Sequence, residues 1–292
     1  MSLPIKIAVL DTSVSQDIIN NVGGHIPSNI TVKRVPFSNP IIRLIRSITY
    51  AIANRNCFLT KWIYQIFRAK LPDHSHGDTV VLTLLEELDK ELDDNQSQIE
   101  ILCYDVARRI DGRLVIPLFN VLCALDHFRT EVGGSSKFVN MSFSFNQEVK
   151  WILDEIRGGR RESPNNQRIE FICAVGNENR AIQNDQNHPY SSYPSAYTRD
   201  NIYPVVGSQD RSFLWQNPSG SGSNFPEYLS THRAYYSEEA ILGPNDFNYG
   251  GGTSFAAPRF LAKKIANHRS LQSQQLQAPE SASNPIRVLS YQ

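Results

Sequence analysis

A three-layer α/β fold, with a mostly parallel sheet carrying helices on both faces, is the architecture this chain predicts. Two patterns predict it. Short β-branched apolar runs beginning near residues 5, 99, 137, 169 and 202 alternate with amphipathic stretches near 78, 114, 146 and 255, the rhythm of strand and crossover helix. The length of 292 residues at 40 % hydrophobic content then suffices for one large core rather than several small ones. Formal charge is zero, with 29 basic and 29 acidic side chains, so nothing global points to nucleic acid. Met1-Ser2-Leu3-Pro4 leads straight into the first strand and is too short for a signal peptide, and no later stretch is long enough to span a membrane. Cys57, Cys103, Cys123 and Cys173 lack metal-ligand or disulfide-framework spacing and read as buried thiols of a cytoplasmic protein.

Ile5-Lys6-Ile7-Ala8-Val9-Leu10 reads as a central strand that ends in Asp11-Thr12-Ser13. A carboxylate therefore stands at the carboxyl end of a parallel strand, where open α/β sheets bind ligands, although aspartate is also a common turn former. Ile41, Leu44, Ile45, Ile48 and Ile52, and then Leu59, Trp62, Ile63, Ile66 and Phe67, repeat at helical spacing around Asn54-Arg55-Asn56, which predicts a helical-hairpin insertion near residues 38–70. No acidic residue falls between Asp17 and Asp73, whereas Lys33, Arg34, Arg43, Arg46, Arg55, Lys61, Arg68 and Lys70 do. Such a face is either solvated or docks an acidic regulatory partner or an anionic membrane surface.

His76-Gly77-Asp78-Thr79-Val80 opens a helix with Val81, Leu84, Leu85, Leu88 and Leu92 on one face. Its acidic end, from Glu86 to Asp94, opposes the helix dipole and reads as solvated surface. Ile99 to Tyr104 is a strand. Leu114 to Arg129 reads as a helix with Leu118, Val121, Leu122 and Leu125 inward, and Lys137 to Ser142 as a further strand. A helix around Gln147 to Arg157 precedes the strand Ile169 to Val175, which ends in Gly176-Asn177. After the Tyr193-Pro194 turn, a strand runs through Tyr203-Pro204-Val205-Val206-Gly207; residues 208–247 read as surface loops. Gly250-Gly251-Gly252-Thr253-Ser254 then releases the backbone into a buried helix through Phe255, Ala256, Ala257, Phe260, Leu261 and Ile265, ending near Arg269. A serine there sits at a helix N-terminus, where free N–H groups favour negative charge on a nearby oxygen. Leu271 to Ser283 reads as disordered, within a tail of residues 270–292.

Gly252-Thr253-Ser254-Phe255-Ala256-Ala257-Pro258 resembles, letter for letter, the nucleophile signature G-T-S-x-A-x-P of the subtilisin-like serine proteases. Four further motifs lie upstream, in an arrangement that keeps that family's chain order of Asp, His and Ser. Asp11-Thr12-Ser13 is similar to D-[ST]-G, with serine in place of glycine. His76-Gly77-Asp78-Thr79-Val80 is similar to H-G-[ST]-x-[VI], with Asp78 in place of the hydroxyl residue; His74 competes but lacks the glycine after it. Val139-Asn140-Met141-Ser142 and Ala174-Val175-Gly176-Asn177 look like the family's V-I-N-M-S and A-A-G-N elements.

The resemblance implies a serine endopeptidase domain over residues 1–269, interrupted by the insertion at about 30–72 and acting without a required cofactor. It implies Asp11, His76 and Ser254 as catalytic triad, Asn177 as oxyanion-hole donor, and Ser142, Phe143, Ser144 and Gly176 along an extended protein or peptide substrate, with Ser192 near the floor of the specificity pocket. Many relatives bind calcium through loop oxygen ligands. Ser13, Asp78 and the lack of a propeptide segment keep an alternative open, a latent or inactive fold that serves as a protein-binding regulatory module, against which stands the retention of all four chemical residues.

Overall fold

The structure, a computed structural model, describes residues 5–16, 19, 29–35, 66–67, 76–92, 98–110, 113–130, 136–145, 169–182, 192–197, 201–210, 213–214, 220–226 and 252–277. Ile5–Asp11 (β1), Ile30–Arg34 (β2), Ile99–Asp105 (β4), Ser136–Met141 (β7), Ile169–Ala174 (β8) and Ile202–Val205 (β10) form one six-stranded parallel sheet. Its order is β10-β8-β7-β1-β4-β2. β1 can lie near the middle because it is apolar on both faces, as a doubly covered parallel strand must be. Ile5, Ile7 and Val9 point into one core cluster, and Ala8 and Leu10 into the other. The edge strand β10 carries Pro204, whose missing N–H matters least at an edge.

Helices His76–Glu91 (α1) and Thr253–Gln277 (α3) pack together on the first face. There Val80, Leu84 and Leu88 of α1 share one cluster with Phe260, Leu261 and Ile265 of α3. Leu118–Thr130 (α2) covers the second face with Val121, Ala124, Leu125 and Phe128. Three layers result, and the expected α/β arrangement is present. From β1 the chain builds the sheet towards β4 and β2, then crosses back to add β7, β8 and β10 on the other side. The order thus reverses between β1 and β7, and the crevice beyond their carboxyl ends is where such sheets hold ligands.

Several expectations are corrected. Leu114, Val115 and Ile116 are not helical. They lie in Arg113–Pro117 (β6), antiparallel to Arg108–Ile110 (β5), and the helix begins only at Leu118. The β-branched run, with Asp111-Gly112 between the two strands, is a hairpin signal. Ile66–Phe67 (β3) pairs antiparallel with Pro117 and Ile116, so the second limb of the expected helical hairpin does not reach Phe67; the remainder of residues 38–70 lies outside the described residues, as does the helix expected at 147–157. Part of 208–247 is strand: Ser208–Asp210 (β11) pairs with Phe213–Leu214 (β12), and Phe225–Pro226 (β13) with Ala181–Ile182 (β9). α3 runs past Arg269 to Gln277, because Leu, Ser and Gln sustain a helix until Pro279 forbids it. Cys103, Cys123 and Cys173 are buried free thiols, as expected. No helix among the described residues is long and apolar enough to cross a membrane.

Candidate active site

β1 ends in Asp11, which is 1 % exposed. Its Oδ1 accepts the Thr12 N–H at 2.7 Å and the His76 Nδ1–H at 2.7 Å. Oδ2 is buried and has no hydrogen-bond partner among the described residues. The carboxylate is thus compensated on one oxygen only, which favours a positive charge on the imidazole beside it. Burial alone would depress the pKa of His76, but the charge and hydrogen bond of Asp11 outweigh it and hold it above the ordinary 6.5. The nearby Cys103 thiol is inert: burial, then the charges of Asp11 and Asp78, push it up to about 12.

His76 is the first residue of α1, and the close packing of that helix end explains the glycine after it. The Gly77 N–H donates to Thr12 Oγ1 at 2.7 Å, and a Cβ at Gly77 would stand 2.4 Å from the Thr12 carbonyl oxygen. Asp78, unusual for the motif, accepts the Ser15 N–H at 2.6 Å. Its carboxylate thereby ties the loop after β1 to the first turn of α1, where negative charge also suits the helix dipole. Ser13 needs no glycine, since Asn179 is the one non-glycine residue of positive φ among those described.

The start of α3 is pinned in a similar way. Gly252 has φ +133° and a Cβ there would lie 3.1 Å from Asn177 Nδ2. Asn177 Oδ1 accepts the Thr253 N–H at 2.9 Å and the Thr253 hydroxyl at 3.1 Å. The amide is fixed by these bonds, which leave Nδ2 as a donor with no acceptor among the described residues. Thr253 Oγ1 in turn accepts the Gly176 N–H at 3.1 Å. Ser254 is half-buried as the second residue of the helix, where its N–H has no role in the ladder. Its neighbour Phe255 packs on the His76 ring at 5.9 Å between centroids, so the two helix starts meet over the switch point.

Ser254 Oγ donates to the Ser142 carbonyl at 2.9 Å, and Ser142 Oγ donates to the Ser254 carbonyl at 2.8 Å. Asn140 Nδ2, in the strand before, donates to Ser142 Oγ at 2.9 Å. No hydrogen bond joins Ser254 to His76 among the described residues. Asp11, His76, Asn177, Ser142 and Ser254 are nonetheless gathered at one sheet edge. The Phe143 side chain is buried, 4 % exposed, and packs edge-on against Phe145 at 5.5 Å; the substrate contact expected there is one of main chain. Ser144 is half-buried between them in sequence.

Gly176 has φ +97°, with its N–H engaged by Thr253 and its carbonyl accepting the Asn224 N–H at 3.0 Å. It contributes close approach rather than a free main-chain donor. A Cβ there would stand 2.7 Å from Asn224 Nδ2, 2.8 Å from Glu178 Oε2 and 3.6 Å from Ser192 Oγ, so Ser192 does lie beside the end of β8. Sequence reasoning missed Asn224. Its side chain serves the Val175 carbonyl, the Glu178 and Arg180 N–H groups and the Glu178 carboxylate, and an asparagine in a Gly- and Ser-rich stretch carries no signal of such a role.

Neither protein-family models nor curated proteins give a match to this chain. Among the described residues no group of three His, Cys, Asp or Glu side chains could hold a metal ion.

Proposed function

We propose that this chain is a serine endopeptidase of subtilisin-like architecture. The observation that carries the reading is the buried 2.7 Å Asp11–His76 hydrogen bond at the switch point, beside the helix that begins with Thr253-Ser254. In the proposed reaction Ser254 Oγ attacks the scissile carbonyl carbon and His76 Nε2 takes the hydroxyl proton, while Asp11 orients the ring and stabilises the imidazolium. The alkoxide oxygen is held by Asn177 Nδ2 and the Ser254 N–H. Collapse breaks the peptide C–N bond, His76 returns its proton to the leaving amine, and water then hydrolyses the acyl-serine by the same steps. An extended substrate pairs with main chain near Ser142 and Ser144, a mode that requires no particular side chains there.

A second reading is favoured by one observation. Ser254 Oγ is turned to the Ser142 carbonyl rather than to His76, the arrangement of a latent site that binds extended peptides without cutting them. Incubation with unfolded casein, followed by mass spectrometry of the products, separates the two. The endopeptidase reading expects internal cleavage that vanishes in Ser254→Ala. Absence of cleavage, or equal cleavage by both proteins, overturns it, and retained peptide binding without cleavage is the signature of the latent fold.

A further inference from the structure

The acidic end of α1 is not simply solvated surface. Glu87 is 7 % exposed, and its Oε2 lies 2.7 Å from the Nη1 of Arg259, itself 4 % exposed on α3. Around this pair stand Lys90 at 3.3 Å and Lys263 at 3.9 Å from Glu87, and Glu86 at 3.8 Å from Arg259. Much of the α1–α3 seam is apolar, through Val80, Leu84, Leu88, Phe260, Leu261 and Ile265, and apolar contacts fix burial without fixing register strongly. A directional, desolvated ion pair does fix it, and register control is the best-supported use of such pairs.

Glu87 stands eleven residues after His76, about 16 Å down α1, and Arg259 five residues after Ser254, about 7 Å down α3. The ion pair is thus a polar, directional contact set apart from the His76–Phe255 ring contact at the helix starts, beside the apolar contacts of the seam. Apolar contacts tolerate small slides along the seam, whereas a hydrogen-bonded ion pair tolerates little. We propose that the Arg259–Glu87 pair sets the register of α3 against α1 and so positions Ser254 relative to His76. In its catalytic consequence this rests on the endopeptidase reading, but the register itself does not.

The test uses the full chain with Glu87→Leu and Arg259→Met combined, which fills the same volume without stranding a buried charge. The readouts are the melting temperature, the His76 ring-proton resonances by NMR, which sense the Phe255 ring, and kcat and KM on a cleaved peptide. The proposal expects a folded double variant with shifted His76 resonances and kcat lowered about 10-fold to 100-fold at unchanged KM. A folded double variant whose His76 resonances keep their wild-type positions overturns it. Should the double variant fail to fold, Glu87→Gln, which keeps a hydrogen bond to the guanidinium and removes the charge, decides by the same resonances. An inactive wild type with resonances that move in the variants would sink the endopeptidase reading and sustain the register device; an active wild type with unmoved resonances would sink the device alone.

Discussion

Replacing Gly77 by alanine tests whether the Asp11–His76 geometry depends on how closely α1 approaches β1. The new methyl would lie 2.4 Å from the Thr12 carbonyl oxygen and 3.0 Å from Thr12 Oγ1. The nearer atom is backbone and cannot rotate away. Ordinary contact begins near ~3.4 Å, so the first turn of α1 must retreat by about 1 Å. Overpacking of this kind costs about 1–3 kcal/mol, offset by up to about 1 kcal/mol from relieving the entropy of a helical glycine. A net loss of about 1–2 kcal/mol corresponds to a melting temperature lowered by roughly 2–8 °C. The same retreat stretches the 2.7 Å Asp11–His76 contact to beyond about 3.5 Å, where it is no longer a hydrogen bond. Turnover should then fall by about 100-fold, the usual consequence of misplacing a reacting group by 1 Å. Calorimetry and peptide hydrolysis, run on the same preparations, measure both effects. A Gly77→Ala protein that melts and turns over like the wild type would refute the argument.

Asn177→Ala should lower kcat by about 10²–10³-fold and also weaken the start of α3, whereas Asn177→Asp keeps the acceptor for Thr253 but replaces the donor with a charge that repels the oxyanion, so kcat should fall at least as far with the start of α3 retained; steady-state kinetics and melting curves on both variants separate the two roles. As general base His76 must be neutral, and Asp11 holds its pKa above 6.5 despite burial, so the acid limb of the kcat/KM profile should have its midpoint above 6.5. For a raised histidine pKa, the stability contributed by the Asp11 pair is fully present below 6.5 and is lost as pH rises through the folded-state value, so thermal stability measured against pH should decline where activity rises. Asp11→Asn removes the raising cause and leaves burial, and NMR titration should then find the His76 pKa below 6.5.

What was legible in the sequence, and what was not, follows from how far each signal reaches along the chain. β1 announced itself because seven consecutive residues carry an uninterrupted strand ending in a carboxylate. α1 was legible from its apolar periodicity over 16 residues. β6 is hidden in the sequence because Leu114, Val115 and Ile116 abut a true helix and extend its apolar run, which outweighs the two-residue Asp111-Gly112 turn signal before them. The motif residues Asp11, His76, Asn177 and Ser254 were singled out by the resemblance of short local motifs to those of a known family, and the structure gathers them at one sheet edge. Their supports could not. Thr12 meets Gly77 across 65 residues, Thr253 meets Asn177 across 76, and Arg259 meets Glu87 across 172, so each partner is defined only once the sheet is assembled. Asp78 is the instructive case: its departure from the motif looked like lost function, yet it holds the Ser15 N–H.

Ser254 activation is the central claim, and intact-mass spectrometry after exposure to a fluorophosphonate probe measures it most directly. The account predicts one adduct on the wild type, mapping to Ser254 and absent from Ser254→Ala. An unlabelled wild type, or an adduct that survives in Ser254→Ala, would contradict it.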